Sequence, residues 1–402
     1  MSDITGLRTI RIAERPNLIW VEIATDDGLR GVGETFRGAA TVEAMLHDQI
    51  AQWLLGRDAR RIEQISRHLL TPYLGFHSTG AEIRAASAVD IALWDLAGQR
   101  HGIPVHEALG GAVRDRIRAY NTCAGYDYNT ASVRRRDVGT SDVARGPYDD
   151  QVAFMRDAGA LAESLVSEGY GAMKIWPFDV YADATGGHLL SLSDLKTGLE
   201  PFRKIRAAVG DKIDIMAELH SLWGTHSALR ICHALEDYGI FWVEDPICKM
   251  NDAAALVDLR RQTKTPICGS ETLAGASTFA GLLGAGALDV VMLDVAWCGG
   301  LTEARKIAAV AEAHAKPVAP HDCTGPITLL AGLHLALHAP TAIFQEVVRA
   351  SLATWYRDLV TELPKVEAGM VVAPEGAGLG TRLSPQVVKR PDAIVRVSGN
   401  GF

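Results

Sequence analysis

Short apolar runs recur through the second half of the chain, and each one ends at or just before a polar residue. Run 213–217 ends at Glu218, 240–243 at Glu244, and 266–268 leads to Glu271. Run 290–293 ends at Asp294, 317–320 at His321, and 342–344 leads to Glu346. Successive polar residues stand 23 to 27 residues apart, room for one strand, one helix and two loops. This pattern predicts a βα array with a polar residue at the C-terminal end of each strand, the arrangement of an active barrel face. A doubly wound sheet is the alternative; six units of such even length favour closure.

The first part of the chain reads differently. Residues 7–12, 18–24 and 29–34 alternate as antiparallel strands, with Asp26-Asp27-Gly28 as the hairpin turn. Helical periods follow at 41–55, 60–70 and 81–100. Barrel strands are expected to begin at 118–124 and 171–176, with helices at 151–168 and 193–209. After residue 356 the period weakens, and strands are expected at 367–372 and 394–397. The division is thus an α+β unit over 1–117, a barrel over 118–356, and a tail over 357–402 packing back on the first unit. The segments 15–17 and 73–79 are candidate specificity loops, with His77 the candidate contact in the second; the long polar segment 125–150 either lines a site through Tyr126, Tyr128 and the arginine triplet or is a solvated insertion.

At 402 residues, 48% of them apolar, the chain can bury a large core beside a smaller domain. The formal net charge is −8, and Arg134-Arg135-Arg136 is the only basic cluster, too short for a nucleic-acid footprint. The six cysteines form no CxxC pair and read as reduced, mostly buried thiols. No segment reads as a secretion signal or a membrane span. Together these features point to a cytoplasmic protein with no nucleic-acid or membrane partner.

The strand-end residues carry chemistry. Neighbouring strands lie about 5 Å apart, so Glu218, Glu244 and Glu271 converge. Three carboxylates this close repel one another unless a cation sits among them, and an all-oxygen set suits Mg²⁺. Asp294 and His321 follow on adjacent strands, where the carboxylate can fix the tautomer of the imidazole and leave its other nitrogen as a base. His220, two residues after Glu218, points towards the mouth as a candidate general acid. Lys174 offers positive charge for a substrate carboxylate or a second base, and Trp176 beside it offers a wall. Glu346 either hydrogen-bonds a developing enolate oxygen or holds a neighbouring Lys or His.

Several motifs accompany this set: Gly33-Glu34-Thr35, Val89-Asp90-Ile91-Ala92-Leu93-Trp94-Asp95, Trp242-Val243-Glu244-Asp245-Pro246, Gly269-Ser270-Glu271-Thr272, Cys298-Gly299-Gly300-Leu301-Thr302-Glu303 and Pro320-His321-Asp322. In this order they resemble the enolase superfamily, mandelate racemase subgroup, over nearly the whole chain. The resemblance implies an N-terminal α+β capping domain, a modified (β/α)₇β barrel and one Mg²⁺ stabilising an enolate formed by α-proton abstraction. It also implies a homo-oligomer.

Within the subgroup the chain is similar to the acid-sugar dehydratases related to galactonate dehydratase, which carry an acid-x-His like Glu218-Leu219-His220. An aldonate or aldarate would lose its α-proton to His321 and its β-hydroxyl as water, with His220 or His321 as the acid, giving a 2-keto-3-deoxy acid. Two departures stand out. Glu218 replaces the usual Asp, and Trp176 stands where many members carry a second Lys. The missing Lys disfavours a racemase. A cycloisomerase and an inactive metal-binding barrel are the other readings.

Overall fold

The computed structural model describes residues 2–71, 79–126, 128, 146 and 148–402. His77, most of the 73–79 loop and most of the 125–150 insertion lie outside the described residues. Three antiparallel strands open the chain: β1 (Ile4–Ile12), β2 (Leu18–Thr25) and β3 (Arg30–Phe36). Gly28 takes the positive φ that the β2–β3 turn requires. One face of this sheet packs on the helix Ala81–His101, and Gly31 and Gly33 allow the approach. A Cβ at either glycine would meet a helix carbonyl, that of Ala92 or Ala88.

The barrel follows. Its parallel strands are β4 (Ile117–Thr122), β5 (Ala172–Ile175), β6 (Asp214–Glu218), β7 (Trp242–Glu244), β8 (Ile267–Gly269), β9 (Val290–Leu293), β10 (Val318–Pro320) and β11 (Gln345–Val347). They pair in sequence from β4 to β10. β11 then pairs with β4, and a bridge from Val318 to Ala342 joins the β10 side to the approach to β11. The sheet is therefore a closed, modified TIM barrel, as its even repeat implies. Tyr120, Met216, Trp242, Cys268, Met292 and Phe344 fill its interior, so the polar strand ends sit on a packed floor. Among the described residues no helix is long and apolar enough to cross a membrane.

The tail forms a hairpin, β12 (Lys365–Glu367) and β13 (Met370–Val372), and then β14 (Ala393–Gly399). β14 pairs antiparallel with β1, completing the first sheet. Three local expectations change. The run 367–372 is a turn-and-return, because Ala368 and Gly369 both take positive φ. The helix expected over 151–168 is two helices, Asp150–Arg156 and Ala158–Ser167. Asp157 breaks it by accepting a hydrogen bond from the Ala160 N–H (3.2 Å) as an N-cap. The helix expected over 41–55 contains a π-helical turn, Leu46–Ile50. The thiols of Cys123, Cys232, Cys268 and Cys298 are free and buried, whereas Cys248 is exposed.

Candidate active site

Six polar strand ends meet above the floor. Glu218 closes β6 directly beside Glu244 of β7 in register, and Glu271 follows β8 by two residues. One carboxylate oxygen from each lies within 4.8 Å of the others. Lys174, 2% exposed, ends among them. Its Nζ stands 3.2 Å from Glu218 Oε2 and 3.0 Å from Glu346 Oε1, and it bonds to Glu244 Oε1. Burial alone would neutralise this lysine, but the surrounding acids outweigh it and hold it protonated.

The three glutamates differ in protonation. Burial and the neighbouring Glu218 charge raise Glu244 well above the usual carboxylate range. Burial also raises Glu218, but the His220 and Lys174 charges prevail and lower it. Glu271 is likewise lowered, against burial, by His321. Glu218 Oε2 is buried, and the Lys174 ammonium at 3.2 Å is its ion-pair partner. Three converging hard oxygens fit a small divalent cation.

Opposite them stands a dyad. His321 Nδ1 lies 2.7 Å from Asp294 Oδ2, and its Nε2 lies 2.7 Å from Glu271 Oε2. Asp294 also accepts from the Ala296 N–H (2.7 Å) and the Thr324 hydroxyl (2.9 Å). These bonds hold the carboxylate against β9 and orient the imidazole. Burial lowers the His321 pKa, yet Glu271, Glu346 and Asp294 together raise it well above that of a free imidazole. Glu346 accepts from the Asp322 N–H (2.7 Å) and the Thr122 hydroxyl, which ties β11 to the His321 loop and to β4.

His220 sits on the other side of Glu218. It and Ser221 both take the left-handed conformation, with φ of 48° and 54°. Such residues cost on the order of 1 kcal/mol or more each and persist where the surroundings fix them. Here the His220 N–H donates to Glu218 Oε1 (2.7 Å) and the Ser221 N–H to the Asp245 carbonyl (2.8 Å). The ring then meets Asp179 Oδ2 (2.8 Å) through Nδ1 and Tyr128 Oη (3.4 Å) through Nε2. Its edge faces Trp176 at 5.5 Å. Burial would lower this imidazole, but Asp179 and Glu218 raise it to about 9.

The structure thus brings together Lys174, Glu218, Glu244, Glu271, Asp294, His321 and Glu346, with His220 and Trp176 at one side. Tyr128, which the sequence offers as a possible site-lining residue of the long loop, does reach His220; the sequence reading missed Asp179 and Thr324, which lie in connections without a period. It also missed Trp297, whose ring stands 5.4 Å from His321, and Arg84, which reaches it from the α+β unit (Cζ 4.6 Å from the ring). The Asp294–Trp297 spacing within one turn was the available signal for Trp297; nothing marked Arg84.

Comparison with known proteins places the whole chain in a family. Residues 157–387 match the family described as enolase C-terminal domain-like, and residues 8–110 match the mandelate racemase / muconate lactonizing enzyme N-terminal domain. The chain is 30% identical to a D-xylonate dehydratase of Haloferax volcanii over 96% of its own length and 88% of that protein. It is 31% identical to a D-galactonate dehydratase of Ralstonia nicotianae, over 96% and 93%. A solved enolase protein from Sargasso Sea environmental sequence superposes with a TM-score of 0.89 at 60% identity, covering 100% of both chains.

Proposed function

Because the chain belongs to the mandelate racemase / muconate lactonizing enzyme family of the enolase superfamily, we propose that it is a Mg²⁺-dependent acid-sugar dehydratase. Relatives named for xylonate, galactonate and gluconate support this hydro-lyase reading. The observation that carries it is the placement of two imidazoles. His321 and His220 flank the same three glutamates, each held by its own aspartate. We further assign 1–117 as the cap, 118–356 as the catalytic barrel and 357–402 as the returning tail.

Glu218, Glu244 and Glu271 would hold the ion. Bound there, Mg²⁺ supplies positive charge to the oxygens of a substrate carboxylate as its α-carbon loses a proton. Lys174 adds a second positive charge on the same side, and Glu346 keeps that lysine in place. His321 removes the α-proton through Nε2, while Asp294 retains the Nδ1 proton and stabilises the imidazolium. Of the charges beside His321, Glu271 raises its pKa most. An ion held by Glu271 would offset that charge and favour the neutral imidazole, whose Nε2 can accept a proton. His220, at about 9, carries a proton at neutral pH and delivers it to the departing β-hydroxyl. Its bond to Asp179 keeps the ring turned so that Nε2 faces away from that carboxylate. The product enol tautomerises to a 2-keto-3-deoxy acid. Trp176 has no group that titrates near neutral pH, so it cannot be the second base that a Lys at that position would supply for racemisation.

A panel of aldonic and aldaric acids, incubated with protein and Mg²⁺ and developed with semicarbazide, tests the reading. A 2-keto acid that forms with Mg²⁺ and disappears with EDTA is expected. Formation unaffected by EDTA, or no product from any acid in a complete panel, overturns it.

A further inference from the structure

The α+β unit brings two arginines to the aromatic pair beside the dyad. Arg84, near the start of the helix Ala81–His101, lies with Cζ 4.6 Å from the Trp297 ring, and Trp297 in turn stands 5.4 Å from His321. Phe36 stacks on the same indole at 6.2 Å, and Arg37 follows it with Cζ 5.7 Å from the Phe36 ring. Arg84 Nη1 donates to the Phe36 carbonyl (2.7 Å), which leaves most of its N–H groups uncommitted. Among the described residues neither guanidinium has a carboxylate within ion-pair distance. Arg37 is exposed and takes a left-handed φ of 71°. The Trp297 indole, 7% exposed, has a buried N–H with no acceptor in the protein.

Apart from the Arg84 bond to the Phe36 carbonyl, these donors face no acceptor among the described residues. A guanidinium offers a rigid fork of N–H groups that matches a carboxylate or phosphate and cannot accept a hydrogen bond from a hydroxyl. Burial, with the like charge of Arg37, lowers the Arg84 pKa to about 10 against the upward pull of Asp294 and Glu271. The guanidinium therefore lies within the electrostatic reach of the dyad and of one of the three glutamates. The Trp176 side has a different character: Tyr128, His220 and Asp179 there already bond to one another. Lys174, the cation of the barrel floor, is surrounded by acids of its own.

We propose that Arg84, Arg37 and the Trp297 N–H form a subsite for an anionic group at the far end of the acid sugar, so that the preferred substrate is anionic at both ends. This rests on the acid-sugar reading and deepens it. The second anion is either the far carboxylate of an aldaric acid or a terminal phosphate ester. The guanidinium fork suits both.

Calorimetric titration of the full protein with Mg²⁺ tests it. The ligands are matched sets of one configuration: an aldonic acid, the aldaric acid and the aldonic acid phosphorylated at its far end, in the gluco, galacto and manno series. The doubly anionic member of the productive series should bind on the order of ten- to a hundredfold tighter than its aldonate, since a charged hydrogen bond is at stake. Whether the aldarate or the phosphate ester gains identifies the source of the anion. Arg84→Gln should erase most of that preference, Arg84→Lys should retain part, and Trp297→Phe should reduce it. Arg37→Gln, at an exposed position, repeats the test where folding is not in question. Equal binding across every set, or a preference unchanged in both Arg84→Gln and Arg37→Gln, overturns the subsite. The two readings fail separately. An arginine-dependent preference without any 2-keto acid upholds the subsite and refutes the dehydratase; 2-keto acid formed without anion preference does the reverse.

Discussion

Replacing Lys174 by Met should weaken the metal-free protein and strengthen its hold on Mg²⁺. The ammonium is 2% exposed and lies within 3.2 Å of Glu218, within 3.0 Å of Glu346 and against Glu244. All three carboxylates are 0–1% exposed, so water cannot take over its role. Removing one partner of a buried ion pair costs about 3–5 kcal/mol. Protonation sets a ceiling on the loss. Neutralising a carboxyl of ordinary pKa at pH 7 costs about 3.5 kcal/mol, at about 1.4 kcal/mol per pH unit. Glu244 already favours its proton, so it adds little to that figure. A net loss of about 3–3.5 kcal/mol follows, seen as a fall of several degrees in the melting temperature in EDTA. The opposite holds for the ion. Without the ammonium, Mg²⁺ meets three glutamates and no competing charge, so saturating Mg²⁺ should raise the variant's melting temperature by more than it raises the wild type's. Turnover should be lost in both conditions. Differential scanning calorimetry in EDTA and in Mg²⁺ reads both effects. A variant as stable as wild type in EDTA, or one that gains less from Mg²⁺, would refute this electrostatic account of the floor.

Three other outcomes follow from the geometry. Asp294→Asn keeps the shape of the dyad but cannot stabilise the imidazolium, so kcat in the semicarbazide assay should fall on the order of 10²–10⁴-fold. His334, buried and facing His106 (Nδ1 to Nδ1 2.9 Å), is held by burial at about 3 against 6.5 for a free imidazole. Its lowered folded pKa means that it adds no penalty above pH 6.5. Stability is lost as pH falls below that value, by about 2 kcal/mol at pH 5. The melting temperature of His334→Gln should therefore depend less on pH between 7 and 5 than that of wild type, and equal slopes would count against the assignment. Gly325→Ala places a Cβ 2.5 Å from the Glu34 carboxylate, which accepts from the Thr328 N–H (3.0 Å) and hydroxyl (2.8 Å) and so joins the first sheet to the helix after His321. It should cost about 1–3 kcal/mol and lower kcat through the displaced His321 loop; an unchanged melting temperature and kcat would show that the contact relaxes freely.

Much of this site was legible because a parallel barrel spaces its strand ends evenly. Glu218, Glu244, Glu271, Asp294, His321 and Glu346 each follow a short apolar run, so a one-dimensional period maps onto a ring. Lys174 fits the same rule, although its neighbourhood does not: sequence spacing gave no sign that three acids surround it. Asp179 and Tyr128 reach His220 from loops, where side-chain direction depends on tertiary packing and leaves no period. Arg84 belongs to a helix of the first unit and meets Trp297 across 213 residues of chain; only the docking of that unit on the barrel brings them together. Local misreadings had local causes. Asp157 can cap a helix as readily as sit within one, and Ala368-Gly369 turns a strand back on itself without any proline or Asn-Gly signal.

Exchange of the α-hydrogen in deuterated solvent tests the central claim most directly, because it isolates proton removal from water loss. The measurement is by NMR, on the acid sugar found productive, with Mg²⁺ present. His220→Asn should exchange the α-hydrogen while forming little 2-keto acid, and His321→Asn should do neither. Exchange that survives in His321→Asn, or is abolished only in His220→Asn, would contradict the assignment of His321 as the base.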